Sequence, residues 1–179
     1  MKIKKSTIGW IALGISMIIA YSWESARMQW VKNAIHFLLD PSAGALISWH
    51  LEIGMLIIIF ILSLIMTLIQ KYTTDQVELK KIKVEQKALQ KEMKEAKDDP
   101  KKMAELQKKN MEMIPKQFKL SMGSIAYTAI PFVLFFRWFD DFFKALGSTK
   151  FFGFMGWFLF YLISYMIFSS IIKKKLDVA

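Results

Sequence analysis

Ile53–Ile69 reads IGMLIIIFILSLIMTLI, 17 residues without a charged side chain. At about 1.5 Å of rise per residue, such a run forms a helix of roughly 25 Å, close to a hydrocarbon layer about 30 Å thick. Three more charge-free runs accompany it: Ser6–Trp23, Leu120–Phe136 and Phe151–Ile172, of 18, 17 and 22 residues. Together they take 74 of the 179 residues, more than an ordinary soluble core uses. The chain is 54 % hydrophobic and 22 % charged, so apolar and charged residues are segregated along it. Zero cysteines exclude a secreted disulfide scaffold. No polar stretch is long enough for a large soluble enzyme domain. The fold class expected is an all-α polytopic membrane protein: a three-helix transmembrane core with a cytoplasmic helical hairpin, plus an extra N-terminal helix.

The lysines orient these spans. With all four runs crossing, residues 1–5, 71–119 and 173–179 share one side and carry twenty of the 25 basic residues. The other side keeps five: Arg27, Lys32, Arg137, Lys144 and Lys150. Lys and Arg near spans are retained in the cytoplasm, so the side with twenty faces in. The expectation is a multi-pass protein of the cell membrane with a cytoplasmic C-terminus. Residues 1–23 read as a signal anchor or transmembrane helix, with a cleaved signal peptide as the alternative. The remaining divisions are an extracytoplasmic amphipathic segment (24–52), spans at 53–70, 120–136 and 151–172, a hairpin at 71–119, an extracytoplasmic loop at 137–150 and a tail at 173–179.

Met28, Val31, Ile35 and Leu38 recur at helical spacing, predicting a surface helix that stops at Asp40-Pro41. Arg137–Leu146, with Trp138, Phe139, Phe142 and Phe143 among its charges, reads as a second interfacial piece. Segment 71–119 holds fourteen lysines and nine acids. Leu79, Ile82, Gln86, Leu89, Met93 and Ala96 keep a heptad stripe, which predicts a coiled-coil arm. Asp98-Asp99-Pro100 supplies a stop, an N-cap and a proline at the first helical position. Met103, Leu106, Asn110 and Met113 continue the stripe on a returning arm, with Pro115 as the bend before the next span. Gln86 and Asn110 are polar positions of the stripe expected to fix its register. Lys80, Lys81, Lys83, Lys87, Lys91 and Lys94 form either a solvated face or a surface for ribosomal RNA or anionic headgroups.

Polar residues inside the spans gather toward the cytoplasmic half. Ser63, Thr67 and Gln70 lie on one face of the second run, while Ser121, Ser124, Tyr127 and Thr128 open the third. Tyr161, Ser164, Tyr165 and Ser169 close the fourth. A single hydroxyl of this kind is commonly satisfied by the carbonyl of its own preceding turn. Three helices polar in the same leaflet instead predict a hydrophilic groove open to the cytoplasm. No glycine-rich phosphate loop, zinc helix, nucleophile elbow or cysteine ligand set occurs. Neither an enzyme nor a cofactor is expected. His50 and Glu52 read as solvated groups on different helix faces, and Asp140-Asp141 is too little for a selectivity ring. An ion channel is therefore the weakest reading.

The order of parts carries a resemblance. A span is followed by a lysine-rich helical hairpin, then FKLSMGSIAYTAIPFVLFFRWF at Phe118–Phe139, then GWFLFYLISYMIFSSIIKKKL at Gly156–Leu176. Over residues 53–178 the chain resembles the archaeal YidC-like proteins of the Oxa/Alb/YidC insertase superfamily, related to the third subunit of the endoplasmic reticulum membrane protein complex. The resemblance implies three core spans, a cytoplasmic coiled-coil hairpin and an inner-leaflet groove. It also implies a membrane protein insertase or chaperone whose partners are nascent membrane-protein clients, the ribosome, the Sec translocon and the lipid bilayer. Two departures stand out: the run Ser6–Trp23 is extra, and no arginine lies within a span. A non-inserting scaffold that docks ribosome or translocon is the alternative function.

Overall fold

The computed structural model describes residues 5–97, 99–147 and 149–178; expectations resting on Lys2, Lys4 and Asp98 fall outside them. The chain is an all-α polytopic membrane protein. Helix α1 spans Lys5–Ser22, and a 3-10 turn at Ala26–Met28 leads into α2 (Gln29–Leu39). A π-helical turn at Asp40–Gly44 joins α2 to α3 (Ala45–Trp49). Then come α4 (Leu51–Thr73), α5 (Gln76–Glu95) and α6 (Pro100–Ala145), a two-stranded hairpin of β1 (Lys150–Phe151) and β2 (Met155–Gly156), and α7 (Trp157–Leu176). Among the described residues, α4, α6 and α7 are long and apolar enough to cross a membrane. A fourth crossing would be the broken pair Thr7–Ser22 and Ala26–Trp49, bent by 115°.

Four local differences from the sequence expectations have physical causes. Asp40-Pro41 does not end the helical path, because a π turn absorbs the proline and carries the chain on to Trp49. Nor do Pro115 and Pro131 break α6, which runs uninterrupted for 46 residues. A helical proline frees the carbonyl four residues earlier, and those residues, Met111 and Tyr127, lie on exposed faces. Arg137–Leu146 is not a separate interfacial piece: the helix continues to Ala145, and Trp138, Phe139 and Phe143 are buried in the core. The last helix starts at Trp157 rather than Phe151, since the preceding residues turn back as a hairpin with Phe152 and Gly153 at φ 52° and 80°. Phe151 is drawn inward by stacking on Phe160 at 4.2 Å between centroids.

The core gathers Ile47, Met55, Ile59, Trp138, Phe139, Phe143, Phe151, Phe160 and Tyr161 at one end of the bundle. At the other end α5 and the first half of α6 form two packed arms. Asp75 caps α5 by accepting the Glu78 amide at 3.0 Å. Asp99 caps α6 by accepting from Lys101 and Lys102, with Pro100 at the first position. Leu79, Ile82, Leu106 and Met113 are buried between the arms. Gln86 donates to Gln117 across the two arms at 3.1 Å.

Helix α1 lies along α6 in the same direction. Trp10 meets Phe118 at 5.6 Å, and a Cβ added to Gly9 would sit 2.7 Å from the Met122 carbonyl oxygen. Farther along, the Arg137 guanidinium donates to the Ala20 carbonyl and Trp23 Nε1 donates to Asp141 at 2.7 Å. The start of α1, the two arms and the C-terminal end of α7 therefore share one end of the molecule, where Lys80 pairs with Asp177. Helix α2 and the β-hairpin share the other.

Candidate functional site: a groove between α1, α4, α6 and α7

The arrangement of α1 beside α6 leaves a groove of about 410 Å³ facing α4 and α7. Its polar side chains are Ser16 from α1, Gln70 from α4, Ser124 and Thr128 from α6, and Tyr165 from α7. Met66, Phe132 and Val133 supply apolar wall. From Ser124 to Val133 the lining climbs nine residues of α6, about 14 Å or near half of a hydrocarbon layer. Gln70 and Ser124 lie at the end nearest the arms, whereas Phe132, Val133 and Ala20 close the far end.

The predicted polar set divides in this geometry. Gln70, Ser124, Thr128 and Tyr165 line the groove. Ser63, Thr67, Tyr161, Ser164 and Ser169 are instead buried within the bundle. Thr67 donates to the Ser63 carbonyl at 2.7 Å, and the Ser63 hydroxyl is buried without a hydrogen-bond partner among the described residues. Ser121 is half-buried and supplies the carbonyl that accepts from Ser124 at 3.0 Å. Tyr127 is 60 % exposed and is not among the groove-lining residues.

Sequence reasoning missed the α1 wall. Its signal was present in Gly9, Ala12, Ser16 and Ala20, small residues three or four apart that let a helix approach a neighbour closely. Ser16 is 4 % exposed and donates to the Ala12 carbonyl at 2.7 Å.

The far end is fastened by charges. Asp141 accepts from Trp23 at 2.7 Å, Lys32 at 3.1 Å and His36 at 3.3 Å. Burial alone would raise the Asp141 carboxyl; these hydrogen bonds outweigh it and hold the group below the ordinary aspartate range. Burial would likewise lower Lys32, but Asp141 and Glu24 raise it above the usual lysine value. His36 also contacts Asp40 at 3.1 Å, and Asp40 accepts from Trp138 at 2.7 Å. Asp140 pairs with Lys144 and Arg137. Asp141 is thus engaged in holding α2 and the residue just past α1 to α6, while Asp140 pairs within α6. His50 is the extended N-cap of α4 rather than a helical residue, which lets its Nδ1 reach Glu52 at 3.5 Å.

On the arms, Lys81, Lys83, Lys87, Lys91 and Lys94 are exposed and Lys80 is half-buried. Lys80 pairs with Asp177 and Lys81 approaches Glu78 at 3.9 Å.

A span, two packed arms, a second span and a turn follow one another between α2 and β1. Over residues 36–152 this stretch matches the model of a family described as "Integral membrane protein EMC3/TMCO1-like", 117 of the 179 residues. The chain belongs to the EMC3/TMCO1-like family. With it comes membership of the insertase superfamily related to Oxa, Alb and YidC proteins, and an insertase-like role in general. The family match includes α4, α5 and α6, hence Gln70, Ser124 and Thr128; α1 and α7 lie outside it. Comparisons with characterised proteins and with solved structures give no match.

Proposed function

We propose that this family member is a non-enzymatic insertase or chaperone of the archaeal YidC-like kind, acting in the cell membrane with its arms and C-terminus in the cytoplasm. The observation that carries the reading is the groove itself, which gathers polar side chains from four helices, Gln70 and Ser124 at the end nearest the arms. A charged side chain at bilayer centre costs about 2.5 to 3.5 kcal/mol on insertion scales, so one or two of them oppose entry of a weakly apolar client. A groove reaching halfway shortens that barrier. The client's polar flank occupies the groove while its apolar segment moves sideways into lipid, driven by its own partitioning. The coiled-coil arms meet the ribosome through Lys83, Lys87, Lys91 and Lys94, with the Sec translocon as a further partner.

Reconstitution into liposomes with ribosome-bound clients tests this. Insertion should exceed that into empty liposomes. Ser124→Ala with Thr128→Val should lower insertion of a charged-tail client several-fold more than that of a neutral-tail client. Equal loss for both, or none, would favour the scaffold that docks ribosome or translocon without inserting.

A further inference from the structure

Four ammonium groups converge where the apolar runs end on the side of the arms. Lys71 follows Ile69 by two residues on α4, and Lys173 comes directly after Ile172 on α7. Helix α5 starts three residues after α4 ends, so its first turns keep Lys80 and Lys83 close to this level. Lys71 and Lys173 are half-buried. Lys173 stands near enough to Lys83 for the two charges to repel, while Lys71 and Lys80 are both drawn to Asp177. Asp177 is fixed there by a left-handed turn at φ 54°, which returns the buried Val178 amide to the Lys173 carbonyl at 2.9 Å. Among the described residues, Lys71, Lys83 and Lys173 make no ion pair. The negative pole of α7 accounts for lysines in its last turn. It does not account for Lys80 and Lys83, which lie toward the positive pole of α5. With one carboxylate for four cations, like charges on α5 and α7 push the two helices apart.

We propose that this cluster binds the phosphate of an anionic phospholipid, which bridges the ends of α4 and α7 to the base of α5. The proposal goes beyond the insertase reading and does not depend on it. Depth decides among anions. Headgroup phosphates stand just outside the hydrocarbon, at the level where both apolar runs stop at a lysine. Two turns below Lys173 on the same face of α7, Met166 is 64 % exposed and offers apolar surface to an acyl chain. A nucleic-acid backbone, hydrated and stiff, meets exposed lysines standing in water rather than half-buried ones flush with the spans. Lys87, Lys91 and Lys94, farther along α5, remain for the ribosome, and Lys83 is where the two surfaces meet. Bound there, the phosphate turns the repulsion between Lys83 and Lys173 into a shared attraction.

The test titrates the full-length protein in neutral detergent with phosphatidylglycerol or phosphatidylcholine, reading bound lipid by native mass spectrometry and stability by thermal melts. The wild type should retain one phosphatidylglycerol in preference to phosphatidylcholine and melt higher with it. Lys83→Gln with Lys173→Gln should bind phosphatidylglycerol roughly thirty-fold more weakly, about five-fold for each lysine removed. Without anionic lipid this variant should melt no lower than the wild type, because a repulsion has gone. Lys83→Gln alone changes an exposed side chain and should give the five-fold loss by itself. Lys101→Gln with Lys108→Gln, exposed on the projecting arm, removes the same charge and should leave the affinity unchanged. An equal loss in that arm variant would mean diffuse attraction and overturn the proposal. Equal retention of phosphatidylcholine overturns it too. So does inorganic phosphate that reproduces the full rise in melting temperature at the same concentration, because the site would then be one for a free anion.

Discussion

Asp141 is where three elements are tied by one carboxylate, and its removal should be felt beyond α6. Asp141→Asn should cost about 2 kcal/mol in detergent-solubilised protein, the range for hydrogen bonds to a charged group. The sign of the pH dependence follows from the shift. A carboxyl held below its ordinary value stabilises the fold above about pH 4, and that contribution is lost as pH falls through the lower folded value. Lys32, raised above the ordinary lysine value, contributes in full below about pH 10 and loses its contribution only above that. Melting temperatures of the wild type should therefore drop on acidification below about pH 4 more than those of Asp141→Asn. A parallel drop in both proteins would remove Asp141 from the account. Gly54 makes a second residue-scale case: an added Cβ would sit 2.2 Å from the Leu46 carbonyl oxygen, where backbone crosses backbone. Gly54→Ala should lower stability by about 1 to 3 kcal/mol, read from the same melts.

Among the elements, α1 was the least legible in the sequence and α5 the most. The α5 stripe reads directly because Leu79, Ile82, Leu89 and Met93 recur at heptad spacing among lysines and glutamates, and the apolar residues off it, Val77 and Val84, are too few to make a competing face. In α1 nearly every residue is apolar, and the packing face is marked only by the small size of Gly9, Ala12 and Ser16. Residues Phe151–Gly156 were unreadable for a related reason: an apolar run looks alike as span or as turn, and what decided it was the pull of Phe151 onto Phe160. The groove was half legible. Hydroxyl spacing pointed to Ser124 and Thr128, but the same spacing also held Tyr127 and Ser63, which depth and neighbours assign elsewhere. The placement of α1 is testable because the chain has no cysteine. Trp10→Cys with Phe118→Cys should be joined by a short bifunctional thiol reagent, whereas Tyr21→Cys with Phe118→Cys should not. For the arms, changing Lys83, Lys87, Lys91 and Lys94 to Glu should abolish salt-sensitive co-sedimentation with ribosomes, given the counterion release that accompanies each phosphate contact. Binding that survives both the charge change and high salt would point to a partner held by packing.

At the scale of the whole molecule, the two ends differ in charge as well as shape, and that difference predicts sidedness. Ala88→Cys, exposed on α5, should react with an impermeant maleimide from the cytoplasm, and Lys144→Cys only from outside. The reverse labelling would invert the molecule in the membrane and remove the cytoplasmic opening of the groove. The unbroken α6 has a mechanical meaning too. Its 46 residues make a rod of about 69 Å, of which the hydrocarbon layer encloses less than half. The rod is clamped where Trp138, Phe139 and Phe143 are buried, so that end is a fulcrum and the projecting arm is a lever. Ser124 stands 14 residues from Trp138 and Pro100 stands 38, which makes the groove wall the short side of the lever, at about a third of the arm's travel. A sideways push of about 6 Å at Pro100 would shift Ser124, on the groove wall, by roughly 2 Å. Pro115 stands between the load and the wall and Pro131 between the wall and the fulcrum; at each the helix gives up a backbone hydrogen bond, and their compliance sets how much of the push arrives.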